Sequence, residues 1–140
     1  MSIVEVRKKN DANIKRRLTN IAKKLQTDVD ALDAVLYRAG LKIESTAVNY
    51  YLSGPRPDHL DRVTGTLAAS INTQKKGKGA VSVGTNVEYA RIHEYGGTIQ
   101  QDKRVIHMPA RPFLRTAARD EKEDVDRYIT AYLKTMLKGA

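Results

Sequence analysis

Three histidines, at 59, 93 and 107, are the side chains best suited to metal or acid–base work, and His93 is followed at once by Glu94. Such a pair begins the zinc-protease pattern, in which two histidines hold the metal and the glutamate acts as the base. The second histidine stands four residues after the first, on the same helical face, and that position is Gly97. His59 and His107 are distant in sequence, whereas closed metal sites announce themselves by close ligand spacing. Glu94 reads instead as an acceptor for backbone amides or for an arginine such as Arg111. Gly77-Lys78-Gly79 lacks the four-residue gap before Gly-Lys, and the Ser or Thr after it, that a phosphate loop requires. Ser53 and Ser70 have no base at a recognisable spacing and no nucleophile-elbow pattern around them. With no cysteine, disulfides, thiolate metal sites and cysteine nucleophiles are excluded. These residues argue against an enzyme, with no catalytic set, metal or cofactor; a small hydrolase using His93 and Glu94 is the remaining catalytic alternative.

The elements that would position these groups follow from periodicity. Residues 1–7 read as a short strand. Over 11–25, Ile14, Leu18, Ile21, Ala22 and Leu25 make a helical stripe with lysines and arginines opposite, so residues 1–26 form a basic N-terminal arm. Thr27 is a good N-cap, with Asp30 three residues on in the manner of a capping box. It opens a long helix over 27–52 with Val29, Leu32, Leu36, Ala39, Ile43, Ala47 and Tyr50 inward, which Ser53-Gly54-Pro55-Arg56-Pro57 must end.

After a loop at 53–63, residues 64–108 form a sheet region with short helices. Thr64 caps a turn through Ser70 that points Leu67 and Ile71 inward. Strands at 71–75 and 80–84 join through Lys76-Gly77-Lys78-Gly79, with Val81 and Val83 alternating with Ala80 and Ser82. Asn86 caps a short helix over 87–95, which Gly96-Gly97 ends at positive φ. Strands at 98–101 and 104–108 follow. Pro109 limits pairing, and Pro112 suits the first turn of a C-terminal helix over 112–138. That helix turns Leu114, Ala117, Ala118, Val125, Tyr128, Ile129, Tyr132, Leu133 and Met136 inward, with the tyrosines as core or interface. The class expected is α+β: a long N-terminal helical region, a small antiparallel sheet of about four strands, and a C-terminal helix packed on the sheet. A length of 140 residues suggests one domain over 1–140.

Charge adds a second theme. The net charge is +9, and residues 1–26 carry eight Lys/Arg against Glu5 and Asp11, a net +6. Arg7, Lys8, Lys9, Lys15, Arg16 and Arg17 of the arm, with Lys75, Lys76 and Lys78 at the hairpin tip, are candidate contacts for DNA phosphates or an acidic partner. The plain alternative is a solvated basic face. A sequence-independent DNA-binding module is a rival function, although no helix-turn-helix, basic-zipper or ribbon pattern is present. No apolar run approaches the roughly 20 residues of a membrane span, and no signal-peptide core follows Met1, so a soluble protein without membrane contact is expected.

Two ordered boxes carry a resemblance. Thr64-Gly65-Thr66-Leu67-Ala68-Ala69-Ser70-Ile71 matches a Thr-Gly-x-Leu-x-x-Ser-Ile element. Val83-Gly84-Thr85, Tyr89-Ala90, His93-Glu94-Tyr95-Gly96-Gly97 and Pro109-Ala110-Arg111-Pro112-Phe113-Leu114 match a longer one. In both, the chain resembles the virion-morphogenesis and tail-completion proteins of tailed bacteriophages, the neck, head–tail joining and minor tail protein Z-like group. The resemblance covers about half the chain. It implies a structural virion protein, made in the host cytoplasm, that assembles as a homo-oligomeric ring of about six subunits where tail meets head. Its partners would be neighbouring head-completion, tail-terminator or tail-tube proteins; the charge of the basic arm and the lysine loop would suit a ring whose lumen passes DNA. The resemblance also implies that the Glu-aromatic-Gly turn at Glu94 is structural.

Overall fold

The computed structural model describes residues 3–54, 60 and 65–138, with side chains at all of these except 3–10, 25 and 27. His59 and Thr64 fall outside the described residues, as does most of the loop expected over 53–63. The side chains of Arg7, Lys8 and Lys9 fall outside them too.

Helix α1 spans Ile3–Thr27. The strand expected over 1–7 does not form, since the chain is helical from Ile3 and the run of charged and polar residues that follows gives it no alternating apolar face. The stripe on α1 is helical as expected, but it is not inward. Ile14 and Leu18 are 56% and 61% exposed, and of the described α1 side chains only Ile21 and Lys24 are even half-buried.

Helix α2 spans Val29–Thr46. Thr27 closes α1 rather than opening α2. Asp28 stands at the junction with φ −108° and makes no side-chain cap bond, while the Thr27 side chain, on which the expected capping box rests, lies outside the described residues. The two helices instead share backbone bonds across the junction: the Asp28 amide donates to the Lys24 carbonyl at 2.9 Å, and the Leu32 amide to the Asp28 carbonyl at 3.2 Å. A π turn over Ala47–Tyr51 prolongs α2. Its signature is the Leu52 amide donating to the Ala47 carbonyl, five residues back, at 3.0 Å. The wider turn shifts the register by one position. Tyr51 and Leu52 are therefore buried, while Tyr50, expected inward, is exposed.

Beyond Gly65, helix α3 (Thr66–Ser70) leads into strands β1 (Asn72–Lys75) and β2 (Val81–Gly84), paired antiparallel with Thr73 opposite Val83. Helix α4 (Ala90–Tyr95) precedes strands β3 (Gly97–Gln101) and β4 (Arg104–Met108), paired antiparallel with Ile99 opposite Ile106. The chain then runs through α5 (Leu114–Asp120) and α6 (Lys122–Lys138). The α+β class holds. The four strands, however, make two separate two-stranded sheets and not one sheet of four.

α2 is the organising element, with β1 and β2 on one side and α5 and α6 on the other. The C-terminal helix thus packs on α2 rather than on a sheet. Gly40 lets the first hairpin come close: a Cβ there would stand 2.5 Å from Thr73 Cγ2 and 3.0 Å from Val81 Cγ1. Two polar ties fix the hairpin to the helix, Thr73 Oγ1 to Glu44 at 2.6 Å and the Gly79 amide to Asp33 at 2.7 Å.

On the opposite side Glu121 accepts the Thr46 hydroxyl at 2.5 Å, and Lys42 lies near Glu121 and Asp124. The Tyr51 hydroxyl donates to Asp120. Burial, and then that bond to Asp120, push the Tyr51 pKa up to about 12. These anchors meet the chain where α5 gives way to α6 at Glu121, which divides the single helix expected over 112–138. Ala117, Tyr132 and Met136 are buried as expected, Tyr132 bonding the Asp28 carbonyl, whereas Ala118 and Leu133 face outward.

The core gathers Ala47, Tyr51, Leu52, Leu60, Ala68, Ile71, Ala90, Phe113 and Ala117. Phe113, the chain's one phenylalanine, is 1% exposed.

Candidate functional site: the Glu94 elbow

The resemblance boxes converge on one joint. α4 begins after a turn in which the Ala90 amide donates to the Val87 carbonyl at 3.1 Å, and Thr85 Oγ1 accepts the Val87 amide at 3.1 Å. Asn86, expected as the cap, is exposed, and the helix proper starts at Ala90 rather than Val87. Thr85 also meets Ser70 Oγ at 2.5 Å. Ser70 bonds the Leu67 carbonyl at 2.7 Å, so this hydroxyl pair joins the first box to the second. Gly65 supplies the start of α3 at φ +75°.

At the other end of α4 the chain reverses at Gly96, with φ +70° and its amide on the Ile92 carbonyl at 2.8 Å. A Cβ on Gly96 would lie 2.8 Å from the Ala110 nitrogen and 3.0 Å from the Met108 oxygen. The position therefore needs glycine twice over, for its conformation and for the close passage of the returning strand. Gly97, at φ +156°, stands in more open surroundings, where a Cβ would find Ile92 at 3.5 Å.

Glu94 occupies the inside of the joint and is buried. Oε2 accepts the amides of Phe113 at 2.8 Å and Leu114 at 3.0 Å, and Oε1 accepts the amide of Arg115 at 2.9 Å. These are amides at the start of α5, which have no partners within their own helix. A negative group at that end is also favoured by the helix dipole. The expected backbone acceptor role is thus observed. The neighbouring arginine is Arg115, with Nε 3.9 Å from Oε1, and not Arg111. Arg111 enters through its backbone, its amide donating to the His93 carbonyl at 2.7 Å. The sequence signal for Arg115 was its place on the first turn of the last helix, three residues past Pro112.

The elbow's own bonds define what it can do chemically. Both oxygens of Glu94 are taken by backbone donors, so a role as base or ligand would cost the start of α5. His93, half-buried, lies edge-on to Tyr89 with ring centres 5.9 Å apart. Burial, and secondarily the Arg111 charge, lower its pKa below the usual imidazole value. Among the described residues no three His, Cys, Asp or Glu side chains gather as a metal cluster.

Beside the joint runs a groove of about 610 Å³, bounded by Val81 and Val83 of β2, Arg91 of α4 and Leu114 and Ala118 of α5. Pro109 is exposed, and the Pro112 carbonyl accepts the Thr116 hydroxyl at 2.9 Å. The first residue of α5 is Leu114, so Pro112 precedes the helix instead of lying in its first turn.

The basic candidates stand apart from this joint, on two other elements. Lys15, Arg16 and Arg17 are exposed on α1. At the first hairpin, Lys75 lies 5.9 Å from the Tyr37 ring centre and Lys76 bonds Gln74 at 3.1 Å, with Lys78 exposed in the turn. Among the described residues no helix is long and apolar enough to cross a membrane.

The profile of the phage virion morphogenesis family matches residues 45–134, from the end of α2 into α6. Among curated proteins, the chain is similar to the Mu-like prophage FluMu G protein 2 of Haemophilus influenzae, with 39% identity over 74 residues. That alignment covers 51% of this chain and 52% of the relative, so the match spans about half the relative's length. No solved structure matches.

Proposed function

This chain belongs to the phage virion morphogenesis family, and from that premise we propose that it is a structural component of the virion neck, assembling as a closed ring at the head–tail junction. Membership points to a structural and non-catalytic role, and the Glu94 carboxylate, with both oxygens engaged by backbone amides, agrees with it. Neighbouring head-completion, tail-terminator or tail-tube proteins are its partners in this reading, and the DNA passes through its lumen.

The observation that supports assembly is the hairpin β3–β4. Every residue of it except Met108 is exposed, including Ile99, Val105 and Ile106. A two-stranded ribbon alone in water is marginally stable, and its two edges present unpaired backbone groups. A contact between such a hairpin and a different surface of the next copy is heterologous, which closes into a ring when the rotation permits. Ring size, near six subunits, comes from the family resemblance alone.

Electron microscopy of the purified protein, alone and mixed with tail tubes, tests this. Rings that cap tubes are expected, and Ile99→Asp with Val105→Asp should abolish them while leaving the thermal melt of the isolated chain unchanged. A monomer at every concentration that neither rings nor touches tubes would remove the neck reading.

A further inference from the structure

α1 carries its charge beside an apolar seam. Ile14, Leu18, Ile21 and Leu25 fall at successive spacings of four, three and four, the rhythm of a helix that packs along another helix. All side chains from 11 to 20 are exposed, Ile14 and Leu18 included. On that rhythm Lys15 and Arg17 border the seam on its two sides, and Arg16 lies opposite it. Whatever covers this helix must therefore satisfy two demands at once, apolar surface over Ile14 and Leu18 and negative charge along both flanks.

We infer that α1 docks an acidic protein surface: an amphipathic helix whose apolar seam is bordered by Glu or Asp. DNA meets only one demand, because phosphates would neutralise Lys15, Arg16 and Arg17 yet leave two aliphatic side chains in water. A second copy of α1 meets only the other, because the positions flanking its seam offer Lys15, Arg17 and Lys24 and no Asp or Glu. An acidic helix meets both, and repulsion excludes basic competitors. That the acidic partner is a neighbouring virion protein rests on the neck reading; the chemistry of the surface does not.

The full-length protein is titrated with a synthetic three-heptad peptide carrying leucine at the seam and glutamate at the flanks. A lysine-flanked version of the peptide and a random-sequence DNA duplex serve as comparisons, all near physiological salt of ~0.15 M. The acidic peptide is expected to bind. Ile14→Asp and Leu18→Asp should each weaken it by about tenfold or more, with the melting temperature unchanged because both positions are exposed. Lys15→Glu combined with Arg17→Glu should lose the acidic peptide and gain the lysine-flanked one.

Duplex binding tighter than peptide binding, and indifferent to Ile14→Asp and Leu18→Asp, overturns the inference in favour of a nucleic-acid surface. Self-association lost on Leu18→Asp overturns it in favour of a second copy, and failure to bind the acidic peptide overturns it outright. Wild-type protein that binds the peptide but forms no rings by electron microscopy counts against the neck reading and leaves the docking surface standing.

Discussion

The Glu94 carboxylate accepts the Phe113 amide at 2.8 Å across 19 residues of chain. Those residues include the whole exposed hairpin β3–β4. One side chain thus closes a loop whose interior contributes little burial of its own. It also fixes where α5 starts, and so places Phe113, the most buried aromatic among the described residues, in the core with Ala47, Tyr51 and Ala68. The elbow lets a protruding hairpin be presented outward while its two ends are locked to the core.

Replacing Glu94 should accordingly cost stability. Glu94→Gln keeps one oxygen acceptor but turns an amide group toward N–H donors, and should cost about 1–2 kcal/mol. Glu94→Ala leaves three amides without their acceptor and should cost about 3 kcal/mol or more. Removing Arg115 should matter far less, because its side chain is 61% exposed and the pair is long. Urea denaturation of the three variants orders them; equal losses for Glu94→Ala and Arg115→Ala would show that the amide bonds do not hold the joint.

This part of the molecule was legible in the sequence because its signals are local. Gly96-Gly97, the Pro-x-x-Pro run and the hairpin turns constrain the backbone over a few residues, and the structure has those reversals where they were expected. The arrangement of longer range was not legible. Nothing in the periodicity of α2 announces the extra residue of its π turn, which exchanges Tyr50 for Tyr51 in the core. Apolar spacing on α1 shows an amphipathic helix, but not whether the partner for Ile14 and Leu18 lies in the same chain. Two hairpins and one four-stranded sheet have the same strand pattern along the sequence. Only the packing of both sides of α2 decides between them. For Glu94 the acceptor role was readable because no second histidine follows His93 at a ligand spacing, whereas the choice of Arg115 over Arg111 depends on where the last helix begins.

Gly96→Ala should be among the most damaging single changes. The new Cβ would meet the Ala110 nitrogen at 2.8 Å, a backbone atom that cannot swing aside, at a residue held at φ +70°. Strain of this kind costs about 1–3 kcal/mol before any clash is counted, so a loss of about 3 kcal/mol or insoluble expression is expected. Gly97→Ala should be milder: φ +156° is strained for alanine too, but its Cβ finds Ile92 at ordinary contact distance and adds no clash with backbone. Chemical denaturation of the two single variants distinguishes them, and equal effects would contradict a clash specific to Gly96.

Gly40→Ala sets helix propensity against packing. Alanine is favoured over glycine within a helix by about 1 kcal/mol, but its Cβ would fall 2.5 Å from Thr73 Cγ2. Thr73 is buried and held by its bond to Glu44, so the clash should win and leave a net loss of about 1–3 kcal/mol. Thr73→Ser removes the offending methyl and keeps the hydroxyl. In a double-mutant cycle the pair Gly40→Ala/Thr73→Ser should be more stable than additivity allows. Strict additivity would mean that the hairpin moves away from α2 without resistance.

His93 gives a pH dependence whose sign follows from its surroundings. Its pKa in the folded chain is lowered from 6.5, first by burial and second by the Arg111 charge. Below pH 6.5 the unfolded chain takes up a proton that the folded chain resists, so the unfolded state binds more protons. The contribution is fully present above pH 6.5 and is lost as pH falls from there through the lowered folded value. His93→Gln should therefore flatten the decline of stability over that acid window while leaving stability near neutrality almost unchanged. A proton-NMR titration of His93 separates the two causes. Arg111→Ala should raise its pKa only part of the way to 6.5, because burial is the larger effect and Arg111 is tied to this joint mainly through its backbone amide. Full recovery to 6.5 on removing Arg111 would reverse the order of causes, and a zinc ion bound one per chain and lost in His93→Gln would replace the structural account of this residue with a metal one.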